Sequence, residues 1–412
     1  MIEFDKFTLD NGLRVIVHRD ETTPLAAVNI LYNVGARDEN PERTGFAHLF
    51  EHLMFGGSIN IPNYDEPLQI VGGDNNAWTN NDVTNYYLTL PKENLETAFW
   101  LESDRMMSLA FTEKSLEVQR SVVIEEFKQR YLNQPYGDVW LLLRPLAYQQ
   151  HPYRWATIGE SIEHIEKANL EEVKDFFFSH YAPNNAILVL SGNVETEEVK
   201  QLAEKWFGPI PKREIAPRNL PTEPEQVEER KLSVERDVPF DAIYMAFHMG
   251  KRMDPDFYTV DLLSDVLSNG QSARLYQSLV KEQNLFTQID AYLTGDFDPG
   301  LFLVTGKLVQ GVKMEEAEEA IWAELQKICK EKATEYELQK VKNKVESTLV
   351  FSEINFLNKA MNLASHEIIG DANDINLEVE KYQAVSCEAI QASAQKLFRK
   401  TNCSTLYYHA KK

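Results

Sequence analysis

The feature that most constrains the fold of this 412-residue sequence is an internal repeat at the scale of a whole domain. Each copy carries a capped helix that runs into a strand, with a further strand near its start. Two segments reappear 217 residues later in the chain, 169–181 as 386–398 and 25–31 as 242–248, and 186–190 reappears 218 residues later as 404–408. Three matches at nearly the same displacement predict two halves that share one architecture.

The elements predicted within each half place the chain in the α+β class. Strands with alternating residue character, such as 85–90, occur together with long helices over 113–130, 313–330 and 335–353. Helices packed on one face of a mainly antiparallel sheet are a stable arrangement for such a mixture. A segment rich in proline and charge, residues 208–229, has the composition of a linker. The predicted domains are therefore residues 1–207 and residues 230–412.

Composition and charge narrow the functions that are compatible with the chain. No apolar run reaches the ~18 residues needed to cross a bilayer, and the start lacks the pattern of a signal peptide. We therefore predict no membrane partner and a cytoplasmic location, or a periplasmic one if a leader has been removed. The three cysteines are typical of thiols in a reducing compartment. The net charge of −22 argues against nucleic acid as a partner and suits a basic substrate.

The run His48-Leu-Phe-Glu51-His52 is the strongest indication of chemistry. Residues three and four apart lie on the same face of a helix. The two imidazoles can therefore hold one metal ion while Glu51 faces a water molecule beside it. Two neutral imidazoles and an adjacent carboxylate are what a hydrolytic zinc site needs. The order H-x-x-E-H is the inverse of the commoner H-E-x-x-H zinc-peptidase motif.

The residues around this motif predict a short buried helix. Residues 43–45 can start it, the positions between the polar residues are apolar, and Gly56-Gly57 can end it. Buried polar groups need partners, and a metal ion would satisfy all three. No histidine lies between His248 and His366, so the second copy cannot carry the motif. The first half is thus predicted to hold the only site of this kind.

A catalytic zinc site normally has three protein ligands and one open position. The helix predicted over 113–130 offers Glu125 and Glu126 as the third ligand. Spacing alone does not choose between these neighbours.

The sequence resembles the M16 peptidases, a family that includes the mitochondrial processing peptidase, insulin-degrading enzyme and short bacterial members. The resemblance is carried by the H-x-x-E-H run together with Val-Val-Ile-Glu-Glu126-Phe, and it covers most of the chain. Supporting segments are Asn11-Gly-Leu-Arg-Val, residues 72–86, His151-Pro-Tyr153 and Ile158-Gly159. It implies the metallohydrolase fold shared by LuxS and the mitochondrial processing peptidase.

The resemblance also implies roles for individual residues. One Zn²⁺ per chain would be held by His48, His52 and Glu126, with Glu51 as the general base. A second glutamate of the family, seven residues before the ligand, is Gln119 here, which weakens the support around the metal ligands. Asn76-Ala77 would lie on an edge strand that binds the substrate, a peptide or unfolded protein, as an added β-strand within a chamber.

One departure from the family bears on the partners of this chain. An arginine and a tyrosine that hold the substrate normally follow a Ser-x-Arg-Leu-aromatic run, present here as Ser272-Ala-Arg274-Leu-Tyr276. By that register the pair falls on Val280 and Thr287, which cannot replace it. We therefore predict a heterodimer with a homologous chain that lacks zinc and carries the Arg/Tyr pair. A self-sufficient homodimeric peptidase is the alternative, and a non-catalytic assembly subunit is the third reading.

Overall fold

The computed structural model describes residues 1–411. Its strands are β1 (Asp5–Thr8), β2 (Arg14–Arg19), β3 (Leu25–Tyr32), β4 (Asp74–Thr79), β5 (Thr84–Pro91), β6 (Ala186–Gly192), β7 (Arg230–Arg236), β8 (Ala242–His248), β9 (Phe286–Leu293), β10 (Leu301–Leu308) and β11 (Cys403–Ala410). Its α-helices are α1 (Phe46–Leu53), α2 (Asp65–Ile70), α3 (Leu95–Met107), α4 (Glu113–Phe127), α5 (Val139–Ala147), α6 (Ile162–Glu166), α7 (Leu170–His180), α8 (Thr196–Trp206), α9 (Phe257–Ser268), α10 (Met314–Lys330), α11 (Glu335–Ser352), α12 (Phe356–Ile369), α13 (Glu378–Gln383) and α14 (Cys387–Leu397). Among these residues, no helix combines the length and apolar character needed to cross a membrane.

The first compact unit contains a six-stranded sheet in the order β1-β2-β6-β3-β5-β4. The pair β2–β6 is parallel, and every other neighbouring pair is antiparallel. The second unit contains a five-stranded sheet in the order β7-β11-β8-β10-β9, again with one parallel pair, β7–β11. Apart from the additional edge strand β1 in the first sheet, the two sheets therefore share one topology. The predicted α+β class with two homologous domains is confirmed.

A pair of asparagines marks the repeat at atomic detail. Asn185 and Asn402 each donate through Nδ2 to two backbone carbonyls, one where a helix ends and one where a strand ends. The acceptors are His180 (2.8 Å) and Asn33 (3.2 Å) for Asn185, and Leu397 (3.1 Å) and His248 (3.0 Å) for Asn402. The helix positions keep the predicted displacement, whereas β3 matches β8 with a displacement two residues smaller. A shift of two residues leaves every side chain on its predicted face.

Each compact unit includes one segment that lies, in the sequence, among residues of the other unit; these two are called the exchanged segments. The first unit comprises residues 1–130, 155–220 and 350–377, and the second comprises residues 131–154, 221–349 and the chain from Glu378 onward. Residues 207–229 form neither helix nor strand. The predicted domains 1–207 and 230–412, and the linker 208–229, stay a prediction about which stretches fold as units.

The exchanged segments explain why both faces of each sheet are covered. In the second unit, Ile243, Met245 and Phe247 point from β8 into a core that includes residues of α9, α10 and α14. The alternating residues Ala242 and Ala246 pack with α5 from the exchanged segment. The sequence pattern predicted helices on one face, and it did not reveal that a single helix covers the other.

Helix α12 has the same role in the first unit, where it packs against β2, β3 and β6. Ion pairs fix it to side chains of β1, of β2 and of the turn that follows β2. Glu367 of α12 accepts from Lys6 (2.9 Å) and Arg14 (3.4 Å). Lys359 of α12 lies 2.8 Å from the carboxylate of Asp20. Both members of this last pair are largely buried, so we expect the pair to form only when α12 is packed against the sheet.

This buried pair predicts a pH-dependent contribution of α12 to stability. The hydrogen bond from Lys359 lowers the pKa of Asp20 from 3.8 to about 2. Because the folded-state pKa is depressed, the stabilisation is present above pH ~4 and is lost as the pH falls towards 2. After discounting for solvent screening, we expect Lys359→Met to cost about 1 kcal/mol of unfolding free energy at pH 7. Urea unfolding should show this difference shrinking between pH 5 and pH 3.

The exposed pair Lys167–Glu163 supplies a matched control. Lys167→Met should leave the urea midpoint unchanged, since an exposed ion pair contributes little. A cost for Lys359→Met that is the same at pH 5 and pH 3 would show that Asp20 does not carry the effect.

Candidate metal centre

The start of helix α1 is held in place by a glycine with a positive φ and by a buried carboxylate. Gly45 precedes the helix with φ 88°, and a Cβ at this position would lie 2.6 Å from the carbonyl oxygen of Ile158. The buried carboxylate of Glu39 accepts from the N–H groups of Gly45 (2.9 Å) and Ala47 (2.8 Å). These bonds satisfy donors that the first turn of a helix leaves free. The start of α1 is therefore fixed by both shape and hydrogen bonding.

The apolar residues of α1 are buried and leave its histidines on one accessible face. His48 is 12% exposed and His52 is 25% exposed. Their ring centroids lie 4.9 Å apart with the planes nearly perpendicular. The i, i+4 spacing of the motif thus places two imidazoles side by side at the surface of a buried helix.

Helix α4 packs against α1 and brings a carboxylate to the two imidazoles. The hydroxyl of Ser115 donates to the carbonyl of Gly56, 3.2 Å away, just after α1 ends. A Cβ at Gly56 would lie 2.5 Å from that hydroxyl, so a larger residue there would require the Ser115 side chain to move. Glu126 Oε2 then lies 3.3 Å from His52 Nε2 and 3.6 Å from His48 Nε2.

The structure separates the two glutamates that the sequence left as alternatives. Glu126 is 17% exposed and faces both imidazoles, whereas Glu125 is 61% exposed and pairs with Lys128 at 2.7 Å. The candidate ligand atoms of His48, His52 and Glu126 all lie within 4.8 Å of one another. Among residues 1–411, this is the one group of three or more such side chains with metal-ligand geometry.

The chemistry of this group fits a zinc ion. Burial lowers the pKa of His48, which keeps its imidazole neutral, the form that binds a metal. A hydrogen bond from His52 lowers the pKa of Glu126 and keeps that carboxylate ionised. Two imidazole nitrogens and one carboxylate oxygen are the ligand set of many catalytic zinc sites. The buried Nδ1 of His48 has no hydrogen-bond partner within the described part of the chain.

Glu51 lies on the same helix as the two histidines but outside the group of three. Burial raises the pKa of its carboxyl. A carboxylate of this kind, next to a metal position and not part of the ligand set, can exchange a proton with water.

Strand β4 has the position expected for a substrate-binding strand. It pairs with β5 on one side only, so its other edge is free in the first unit. Asn76 is exposed on this strand, and the N–H of Ala77 donates to its side-chain Oδ1 at 2.8 Å. An unpaired strand edge is where an extended peptide can add as a further strand.

The structure also shows where the other residues named in the sequence analysis lie. Gln119 is partly buried on α4, two turns before Glu126. In the second unit, Val280 packs against the core and Thr287 is exposed on β9, so neither can hold a peptide as an arginine or tyrosine would. Arg274 is engaged in a two-point ion pair with Glu337 (2.7 and 2.9 Å), which gives it a structural role.

One residue near the site was missed by the sequence reasoning. Arg130 lies 2.8 Å from Glu126 Oε1, the oxygen that does not face the histidines. Its i, i+4 spacing from Glu126 is a signal that could have indicated this contact.

Comparison with known proteins gives matches to two family models and to curated relatives. Residues 14–158 match the family model described as insulinase (peptidase family M16), and residues 167–345 match the model described as the peptidase M16 inactive domain. The chain is 28% identical over 411 residues to the zinc protease PqqE of Helicobacter pylori, covering 98% of this chain and 92% of that one. It is 30% identical over 209 residues to the mitochondrial-processing peptidase subunit beta of Saccharomyces cerevisiae, covering 50% and 45%.

A crystal structure of a protease from Helicobacter pylori superposes on this chain with a TM-score of 0.92 and 27% identity, covering 99% of this chain and 100% of that one. The two family models together span most of the sequence, and the histidines and glutamates described above lie inside the first of them. The chain belongs to the M16 family of zinc metallopeptidases.

Proposed function

We propose that this chain is a zinc-dependent endopeptidase in which His48, His52 and Glu126 hold one zinc ion and Glu51 is the general base. The observation that carries the proposal is the approach of Glu126 Oε2 to both imidazole Nε2 atoms, at 3.3 and 3.6 Å. Three ligands leave a fourth position open, as catalytic zinc sites do.

The proposed mechanism assigns one task to each side chain. Zinc bound at this site would acidify a water molecule and polarise the carbonyl of the peptide. Glu51 would accept the proton of that water at a carboxylate oxygen and deliver it to the departing amine. Burial raises the pKa of Glu51, which favours both the uptake and the release of a proton. Gln119 would support the metal ligands less strongly than a carboxylate.

The proposed substrate is a peptide, or a segment of unfolded protein, in extended form. It would pair with the free edge of β4 at Asn76 and Ala77, where a peptide carbonyl would replace Asn76 Oδ1 as the acceptor for the N–H of Ala77. Main-chain pairing supplies affinity whatever the side chains of the peptide are, so we expect broad specificity. The net charge of −22 favours basic peptides.

We propose further that the chain works with a homologous chain that lacks zinc. The supporting observations are the unsuitable residues Val280 and Thr287 and the likeness to a relative named as a beta subunit. A homodimer is the alternative if another pair of residues holds the peptide. A non-catalytic assembly subunit is disfavoured because the ligand group is complete. The cytoplasmic location predicted from the sequence stays a prediction.

Metal analysis and a peptide-cleavage assay on the same preparation test this proposal. We expect about one zinc per chain, slow cleavage of an unstructured peptide by the chain alone, and faster cleavage when a homologous chain with the Arg/Tyr pair is added. Correct positioning of a substrate can be worth several kcal/mol of activation barrier. A chain without zinc would refute the proposed site.

The assay also separates the two proposed assemblies. Full activity of the chain alone, unchanged by any partner and lost in Arg274→Ala, would replace the heterodimer by the homodimer. Tyr336→Phe is a matched control for a conservative change at an exposed position of the second unit, and it should change neither zinc content nor rate.

A further inference from the structure

We propose that Arg130 is a positioning residue for the metal ligand Glu126 and holds its carboxylate in the orientation that faces the two histidines. The inference rests on the proposed function, because Glu126 has this task only if the chain binds zinc. It assigns a role to a side chain that is neither a metal ligand nor part of the H-x-x-E-H run.

The two oxygens of the Glu126 carboxylate face different neighbours. Oε2 lies 3.3 Å from His52 Nε2 and 3.6 Å from His48 Nε2, whereas Oε1 lies 2.8 Å from Arg130 Nη1. The arginine on one oxygen therefore leaves the other oxygen for a metal ion. A rotation of the carboxylate away from the imidazoles would break the contact with Arg130.

The backbone after α4 places Arg130 where it can reach this oxygen. Arg130 lies four residues after Glu126, a spacing that brings two side chains together on a helix. Helix α4 ends at Phe127 and is followed by a π-helical turn, Lys128–Leu132, which contains Arg130. Such turns are rare and occur frequently at functional sites. The contact thus coincides with an unusual feature of the local backbone.

The ion pair between Arg130 and Glu126 is exposed at one end only. The side chain of Arg130 is 70% exposed, and that of Glu126 is 17% exposed. An ion pair that reaches into solvent contributes little to the free energy of unfolding, because water and salt screen the charges. Stability of the fold is therefore not what this pair supplies. Its effect should appear in the affinity for a metal and in the geometry of metal binding.

Arg130 also supplies a contact that Gln119 does not. A Cβ built at Gly56 would lie 3.7 Å from Gln119 Nε2, so the amide of Gln119 lies beside the chain just after α1 ends. Arg130 contacts the carboxylate of Glu126 itself. In this chain, the support for the third ligand would thus come from the segment that follows α4.

Two effects of Arg130 on zinc binding oppose each other. Its positive charge repels a cation, but the carboxylate separates the guanidinium from the side on which zinc would bind, and water screens an exposed charge. Orientation acts the other way, since ordering one long side chain is worth about a tenfold change in a binding constant. Groups that orient a metal ligand typically contribute about 10- to 100-fold to metal affinity. We therefore expect orientation to outweigh repulsion.

Zinc affinity of the full chain, measured by competition with a chelator, tests the inference. Arg130→Gln should bind zinc about 10-fold more weakly than the wild-type chain. Arg130→Met should show the same loss, which excludes a new hydrogen bond from the glutamine amide as the cause. The urea midpoints of both metal-free variants should match the wild-type value, since the pair contributes little to stability.

Lys128→Gln is the matched control. Lys128 lies in the same π-helical turn, carries the same charge and forms an ion pair with Glu125 at 2.7 Å. Its replacement removes one positive charge near the site without touching a metal ligand. We expect the zinc affinity of Lys128→Gln to stay near the wild-type value. Equal changes of affinity in Arg130→Gln and Lys128→Gln would assign the effect to net charge and overturn the inference.

Cobalt(II) in place of zinc gives a second measurement that does not depend on activity. The visible absorption of bound cobalt depends on the geometry of its ligands. The spectrum of Arg130→Gln should differ from that of the wild-type chain, and the spectrum of Lys128→Gln should not. An unchanged cobalt spectrum, or a zinc affinity that is unchanged or higher in Arg130→Gln, would refute the inference. A wild-type chain that binds neither metal would instead refute the proposed site.

Discussion

Glu51→Gln is expected to abolish peptide hydrolysis almost completely while the chain keeps its fold and its zinc. The amide has nearly the same size as the carboxylate and can still accept a hydrogen bond, but it cannot take a proton from water. A general base typically contributes ~10²–10⁴-fold to a rate, and we expect a loss of at least that size. Turnover of an unstructured peptide, measured together with the zinc content of the same sample, checks this prediction.

A neighbouring substitution separates loss of the base from loss of charge. Glu125→Gln also removes one negative charge beside the site, but Glu125 is exposed and pairs with Lys128. It should keep most of the activity. Near-wild-type turnover in zinc-loaded Glu51→Gln would remove Glu51 from the mechanism.

Glu126→Ala is expected to lose the bound zinc, and with it all activity. Removing one of three protein ligands leaves two imidazoles, which is too few for a catalytic zinc site. His48→Ala and His52→Ala should have the same effect. The measurement is the zinc content per chain after dialysis against a weak chelator, with circular dichroism to show that the variants are folded.

Glu125→Ala is the control for this experiment, since it removes a carboxylate from the adjacent position of the same helix. It should keep its zinc because Glu125 points away from the imidazoles towards Lys128. If Glu125→Ala were depleted of zinc and Glu126→Ala replete, the ligand assignment would be wrong.

The sequence predicted the local part of the site and could not predict the part that depends on packing. The shared face of His48, Glu51 and His52 follows from helix geometry alone. Adjacent residues such as Glu125 and Glu126 differ by about 100° around a helix. Which of them faces the imidazoles depends on how α4 packs against α1, a contact that includes the hydrogen bond from Ser115 to Gly56.

The same distinction applies to the fold, where single elements were predictable from the sequence and their packing was not. Period and composition predicted the strands and helices of the repeat, and the structure confirms both the elements and the α+β class. The coverage of the second sheet face was not predictable in the same way. The apolar pattern of α5 and α12 shows that each buries a face, but it does not say which sheet lies beneath. That choice is made by specific contacts, such as Lys359 with Asp20 in the first unit.

The exchanged helices have a consequence for how the protein is made. Strand β6 is complete once residue 192 has been synthesised, but α12 ends only at residue 369. During that interval, the face of β2, β3 and β6 that α12 covers stays open on the growing chain. A sheet face that is buried in the finished protein is prone to aggregation while it is left open during synthesis, and it attracts chaperones. The metal-bearing unit therefore cannot finish folding on the ribosome before most of the second half has emerged, and prematurely terminated chains should be insoluble.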